Sequence, residues 1–165
     1  MTEDKHRILI VDDELHVVRA LQRTLGDTYD VDYALGGKEG LDALAAIGPY
    51  AVVVSDMRMP EMDGADFLTH VKEKYPETVR VMLTGYANLE SASRAINEGA
   101  IYRFATKPCA PDDFRALIKL AVEQHELLTL EKALLADPNK KASPPENPMS
   151  ADRVKWEHIH RVFEL

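Results

Sequence analysis

Short apolar runs alternate with amphipathic ones through the first 135 residues of the chain. Ile8–Val11 is continuously apolar, and LHVVRALQRTL after it puts Val18, Leu21 and Leu25 on one helical face ahead of Gly26. Val31–Leu35 leads into a helical pattern over Lys38–Ile47, and Ala51–Val54 leads into ADFLTHVKEKY, which stops near Pro76. Val79–Leu83 precedes LESASRAINEG, a helix ending at Gly99. Ile101–Thr106 precedes a long helix from Asp112, with Phe114, Leu117, Ile118, Ala121 and Val122 on one side. Strands that are apolar at successive positions are buried on both faces, the signature of a parallel sheet between helices. Five strand–helix units joined by right-handed crossovers predict a doubly wound α/β domain.

The pattern breaks after Leu135. ADPNKKASPPENPMS holds four prolines and no apolar periodicity, the composition of an extended linker. Helical spacing resumes in SADRVKWEHIHRVFEL, with Ser150 as N-cap and Trp156, Ile159 and Phe163 sharing a face. The expected organisation is a domain over 5–128, an extension of its last helix over 129–136, a Pro-rich linker over 137–150 and an amphipathic helix over 151–165.

Composition narrows the picture. Residues 1–136 carry 15 Lys/Arg against 23 Asp/Glu, the whole net charge of -8, while residues 137–165 carry 5 of each. An acidic domain is a poor general surface for nucleic acid. The single cysteine, Cys109, cannot pair within the chain, which fits a reducing compartment. No apolar run has signal-peptide or membrane-span length. The expectation is a cytoplasmic protein that does not enter a membrane.

Ligands of open α/β sheets bind beyond the carboxyl ends of the strands. Strand one ends in Asp12-Asp13-Glu14, strand three in Asp56, strand four in Thr84-Gly85 and strand five in Thr106-Lys107-Pro108. Taken singly, each has a structural reading: Asp12–Glu14 as helix caps, Asp56 as a turn starter, Thr84 and Lys107 as strand-end residues. Together they put carboxylates, a hydroxyl and an ammonium at one edge. Like charges about 4 Å apart repel by roughly 4 kcal/mol at an effective dielectric near 20. A hard divalent cation such as Mg²⁺ relieves that repulsion. Carboxylate, cation, lysine and hydroxyl at one point are equipment for phosphoryl transfer.

Asp12-Asp13, Asp56 within DMRMPEMDG, Thr84 and Lys107-Pro108 resemble the receiver domain of two-component response regulators over residues 5–128. The resemblance implies a flavodoxin-like sheet of strand order 2-1-3-4-5. It implies that Asp56 accepts a phosphoryl group from a histidine kinase or phosphotransfer protein, with no enzyme activity beyond the chain's own phosphorylation and dephosphorylation. It also implies that Asp12, Asp13, Asp56 and the Arg58 main-chain carbonyl hold Mg²⁺, and that Lys107, Thr84 and the Gly85 N–H contact the phosphoryl oxygens. Lys107–Pro108 is cis in the family. Thr84 couples there to an aromatic residue on strand five, here Phe104, with Tyr102 expected on the same face, so that a downstream protein reads the strand-five face. Phe104 lacks a hydroxyl, so its inward state is expected to be populated without phosphate. Arg58 and Tyr86 border the mouth of the site and are expected to prolong the life of the phosphoryl group.

ENPMSADRVKWEHIHRVFEL resembles the linker and first output helix of the RegA/PrrA/ActR type of response regulator, which binds DNA through a helix-turn-helix. The resemblance stops at Leu165 before a recognition helix, so DNA binding by this chain alone is not expected. His158 and His160 fall on different helix faces, so no paired metal site is expected there. Leu127, Leu128, Leu130, Leu134 and Leu135 make a homodimer through the last helix available without establishing it. A truncated transcription regulator and a phosphohydrolase with an aspartyl nucleophile are the alternatives. The second typically separates its two strand-one aspartates by one residue, whereas Asp12 and Asp13 adjoin.

Overall fold

The computed structural model describes residues 4–85, 88–98 and 100–137. Tyr86, Gly99, the linker from residue 138 and the helix expected over 151–165 lie outside them. The chain divides into two units, Met1–His125 and Glu126–Leu165; the sheet and the strand-end cluster belong to the first.

Among the described residues strands and helices alternate: β1 (Arg7–Val11), α1 (Leu15–Leu25), β2 (Asp30–Ala34), α2 (Gly37–Ala46), β3 (Val52–Asp56), α3 (Gly64–Lys74), β4 (Val79–Thr84), α4 (Leu89–Asn97), β5 (Arg103–Thr106) and α5 (Pro111–Ala136). All strand pairs are parallel, in the order β2-β1-β3-β4-β5. The expected doubly wound sheet and its strand order are both present.

Two faces of the sheet carry two apolar layers, as the continuous apolar strands require. Leu9, Val11, Val53 and Met82 pack in one cluster with Leu44 of α2, Phe67, Leu68 and Val71 of α3, and Ala92 and Ala95 of α4. Alternate strand residues (Ile8, Ile10, Val52, Val54 and Val81) point the other way and are fully buried. That face is left for α1 and α5, whose buried residues include Val18, Leu25, Phe114 and Ile118. Arg115 of α5 donates to the Thr24 carbonyl at 3.2 Å and ties these two helices together.

Element ends depart from the sequence pattern where polar residues join a strand. β3 runs on to Asp56 and β4 to Thr84, because their backbones stay paired past the last apolar side chain: Asp56 pairs with Leu83, and Thr84 with Thr106. β5 begins at Arg103 rather than Ile101. Tyr102 therefore precedes the strand, with its N–H on the Arg80 carbonyl at 2.7 Å and the Arg103 guanidinium 5.3 Å from its ring centre. Phe104 is partly buried against the α2–α4 core layer.

Tyr50, only 1% exposed, donates its hydroxyl to Asp32 Oδ2 at 2.7 Å. Burial first, then that hydrogen bond, hold its phenol above the ordinary value. Its contribution to stability is complete below the unfolded-state pKa of about 10 and is lost as pH rises toward the elevated folded value. Tyr50→Phe is expected to cost about 1 kcal/mol at neutral pH. It should also flatten the alkaline decline in stability, read from urea melts between about pH 8 and 11.

Candidate phosphoryl-transfer site

With the order β2-β1-β3-β4-β5, the chain leaves β1 toward β2 on one side and returns to β3 on the other. That reversal opens a crevice at the carboxyl ends of β1 and β3. Asp12 and Asp13 follow β1 directly, and Asp56 is the last residue of β3. Among the described residues, carboxylate oxygens of Asp12, Asp13 and Asp56 lie within 4.8 Å of one another.

Asp12 is 1% exposed and fully engaged. Its N–H extends the β1–β2 ladder to the Ala34 carbonyl at 3.2 Å, and its Oδ1 accepts the Glu14 N–H at 3.0 Å, turning the chain into α1. Oδ2 faces Lys107 Nζ at 2.7 Å, and the same ammonium stands 3.2 Å from Asp56 Oδ1. A buried charge without a partner is costly, so Lys107 is the counter-ion that lets these carboxylates share a cavity. Burial alone would lower the Lys107 pKa; the bonds to Asp12 and Asp56 outweigh it and raise it. Burial raises Asp56 and Asp12 adds to this, against the pull of Lys107. Three carboxylates and one ammonium leave a formal charge of -2, which matches one divalent cation. Hard oxygen donors of this kind fit Mg²⁺.

Thr84 ends β4, fully buried, and its hydroxyl donates to the Gly85 carbonyl at 3.2 Å. The Lys107 N–H returns to the Thr84 carbonyl at 2.9 Å, so strand four fixes the lysine's backbone as well. The Lys107–Pro108 peptide is cis. Asp12, Asp13, Asp56 and Lys107 thus share one locus, and Thr84 stands at its edge with its hydroxyl turned to its own chain.

The loop from Met57 to Asp63 folds back onto the strand end. Met57 N–H bonds the Leu83 carbonyl at 3.1 Å, and Gly64 N–H bonds the Met57 carbonyl at 2.8 Å. Asp63 caps α3 by accepting the Asp66 N–H at 2.8 Å. A Cβ on Gly64 would collide with the Asp56 carbonyl oxygen. Glu61 in this loop has φ 67°, a left-handed conformation that costs a β-branched residue most. Glu61→Val should lower stability by about 1 kcal/mol, while Glu61→Gly holds or raises it, as chemical denaturation will show.

Arg58 is exposed, and both Nε and Nη2 donate to Asn88 Oδ1 at 3.2 Å. The pair borders a cavity of about 540 Å³ that Met57, Met59 and Ser91 also line. Asn88 is absent from the site read in the sequence. Its one signal there is an Asn before an apolar-periodic helix, which marks an N-cap; the tie to Arg58, 30 residues away, has no local trace.

Residues 8–119 match the model of the response regulator receiver domain family. The acid tolerance regulatory protein ActR of Rhizobium meliloti (strain 1021) is 35% identical over 159 residues, which is 96% of this chain and 73% of that protein. Among solved structures, the chain is similar to an adenylate cyclase from Rhodopirellula baltica, at 35% identity and TM-score 0.79 over 81% of this chain and 98% of that one. It is also similar to a response regulator receiver domain protein from Clostridium thermocellum, at 30% identity and TM-score 0.70 over 74% and 98%.

Proposed function

The chain belongs to the response regulator receiver domain family of two-component systems, and on that premise we propose that Asp56 is its phosphoryl acceptor. One observation carries the proposal: Lys107 bridges Asp12 at 2.7 Å and Asp56 at 3.2 Å inside the carboxylate cluster. The donor is the phosphohistidine of a sensor kinase or phosphotransfer protein. An Asp56 oxygen attacks phosphorus, the P–N bond to the donor imidazole breaks, and the imidazole leaves with that electron pair.

Receiver domains bind Mg²⁺ at an acidic pocket, and Asp12, Asp13 and Asp56 supply such a pocket here. The Arg58 main-chain carbonyl is the proposed fourth protein ligand. Held by these groups, the metal would supply positive charge against the transferred group. Lys107 then meets a phosphoryl oxygen. Thr84 gives up the Gly85 carbonyl for another, beside the Gly85 N–H. The space Thr84 leaves is open to Phe104, which changes the β5 face offered to a downstream protein. Receiver domains are not enzymes in the usual sense, and catalysis is confined to loading and unloading Asp56.

Incubation with acetyl phosphate and Mg²⁺, read by intact mass, tests the reading: a phosphoryl-sized gain supports it, and its absence rejects it. Arg58 shields the product from water, so Arg58→Ala should speed phosphoryl loss by roughly threefold, the scale of one weak surface contact. Equal decay rates in both proteins would remove that role. Among the described residues no helix is long and apolar enough to cross a membrane.

A further inference from the structure

Asn88 occupies the N-cap position of α4. Asparagine is among the best residues there, because its side-chain oxygen accepts an N–H of the first helical turn. This one makes no such bond. Its single side-chain oxygen takes two donors of the Arg58 guanidinium instead. The Asn88 backbone, at φ -114° and ψ 11°, is also not the extended one from which a capping side chain reaches the first turn, so α4 has no side-chain cap at this position. Among the described residues Arg58 forms no ion pair with Asp56, although only Met57 separates them in sequence.

We propose that Asn88 is a positioning residue that parks Arg58 off the acceptor carboxylate, and that its oxygen is shared between Arg58 and the first turn of α4. The proposal rests on Asp56 being the phosphoryl acceptor. A phosphoryl group brings about 1.5 to 2 negative charges and three acceptor oxygens. It is a stronger partner for a guanidinium than a neutral amide oxygen. Arg58 exchanges Asn88 for the phosphoryl group, and the released oxygen accepts the N–H of Glu90 or Ser91, the second and third residues of α4. No covalent bond changes; two hydrogen-bond partners are exchanged, and Asn88 turns at its backbone from ψ 11° toward the extended value of a capping residue. Asn88 thereby sets how readily Arg58 covers the acyl phosphate, and loading of Asp56 tightens the N-terminal turn of α4.

Two measurements on the full chain test this. The first is the decay rate of the acetyl-phosphate-loaded protein. Asn88→Ala should slow decay by about threefold because Arg58 is no longer held back, and Asn88→Asp should speed it because a carboxylate grips the guanidinium harder. In an Arg58→Ala background both substitutions should change nothing. Equal effects of position 88 with and without Arg58, or no effect with it, overturn the proposal. The second needs no phosphate: amide exchange at Glu90 and Ser91. Arg58→Ala should slow it by about fivefold, the factor that one N-cap is worth, and Asn88→Ala on top should abolish the slowing. Unchanged exchange in Arg58→Ala overturns the proposal. Wild-type protein that gains no mass with acetyl phosphate rejects the acceptor reading; the exchange result still decides whether Arg58 and α4 compete for Asn88.

Discussion

Asp56→Asn is expected to gain no phosphoryl mass from acetyl phosphate and Mg²⁺, while unfolding at a higher temperature than the parent. An amide lacks the anionic oxygen that attacks phosphorus, so uptake falls below detection. The gain in stability follows from the pKa direction. Burial, then the Asp12 charge, raise Asp56 in the folded state despite Lys107. For an acid with a raised folded pKa, the folded state binds more protons, and stability declines as pH climbs through the unfolded and then the folded value. The neutral amide removes that loss, and Lys107 keeps Asp12 as its partner. Uptake in the parent should fall in acid at a higher pH than an ordinary carboxylate of about 3.9 would give. Intact mass and thermal melts at neutral and acid pH read all three. Phosphoryl loading of the Asp56→Asn variant would move the acceptor elsewhere, and a lower melting point would mean that the carboxylate supports the fold.

Gly64→Ala is expected to cost about 3 kcal/mol, or roughly 6 to 12 °C of melting temperature for a chain this size. The cause is close approach: the new Cβ would meet the Asp56 carbonyl oxygen and lie 3.0 Å from Met57 Cα, both backbone atoms that cannot swing aside. Relief requires the loop to peel from the end of β3. The Gly64–Met57 hydrogen bond then lengthens, and phosphoryl uptake should slow along with the loss of stability. Gly36→Ala is the control. A Cβ there meets nothing within 4 Å and the backbone is extended, so stability should stay within about 0.5 kcal/mol. Equal melting temperatures for Gly64→Ala and the parent would show that the loop yields without cost.

The sheet was legible because burial on both faces writes itself as unbroken apolar runs such as Val52–Val54. The cluster was legible because each carboxylate sits next to such a run, where period and position coincide. What escaped depends on contacts between distant residues. Lys107 stands closer to Asp12 than to Asp56, across 95 residues of chain. Tyr102 lost its place in β5 to the pairing that starts at Arg103. The oxygen of Asn88 went to Arg58 rather than to its own helix. Gly64 closes DMRMPEMDG with no local sign of a close approach, while the atom that excludes a side chain there belongs to the Asp56 backbone.

Asp12, Asp56, Thr84 and Lys107 come from four different strand ends, and the Lys107–Asp12 contact closes a loop that takes in nearly the whole receiver. No shorter stretch of the chain holds the cluster, and the unfolded chain scatters it. Whatever occupies it therefore has native protein as its sole receptor, and occupancy becomes folding energy by mass action: about 2.7 kcal/mol when a ligand stands at a hundred times its dissociation constant. On the proposed function, a larger supply of the cation would therefore also lengthen the protein's survival against proteolysis.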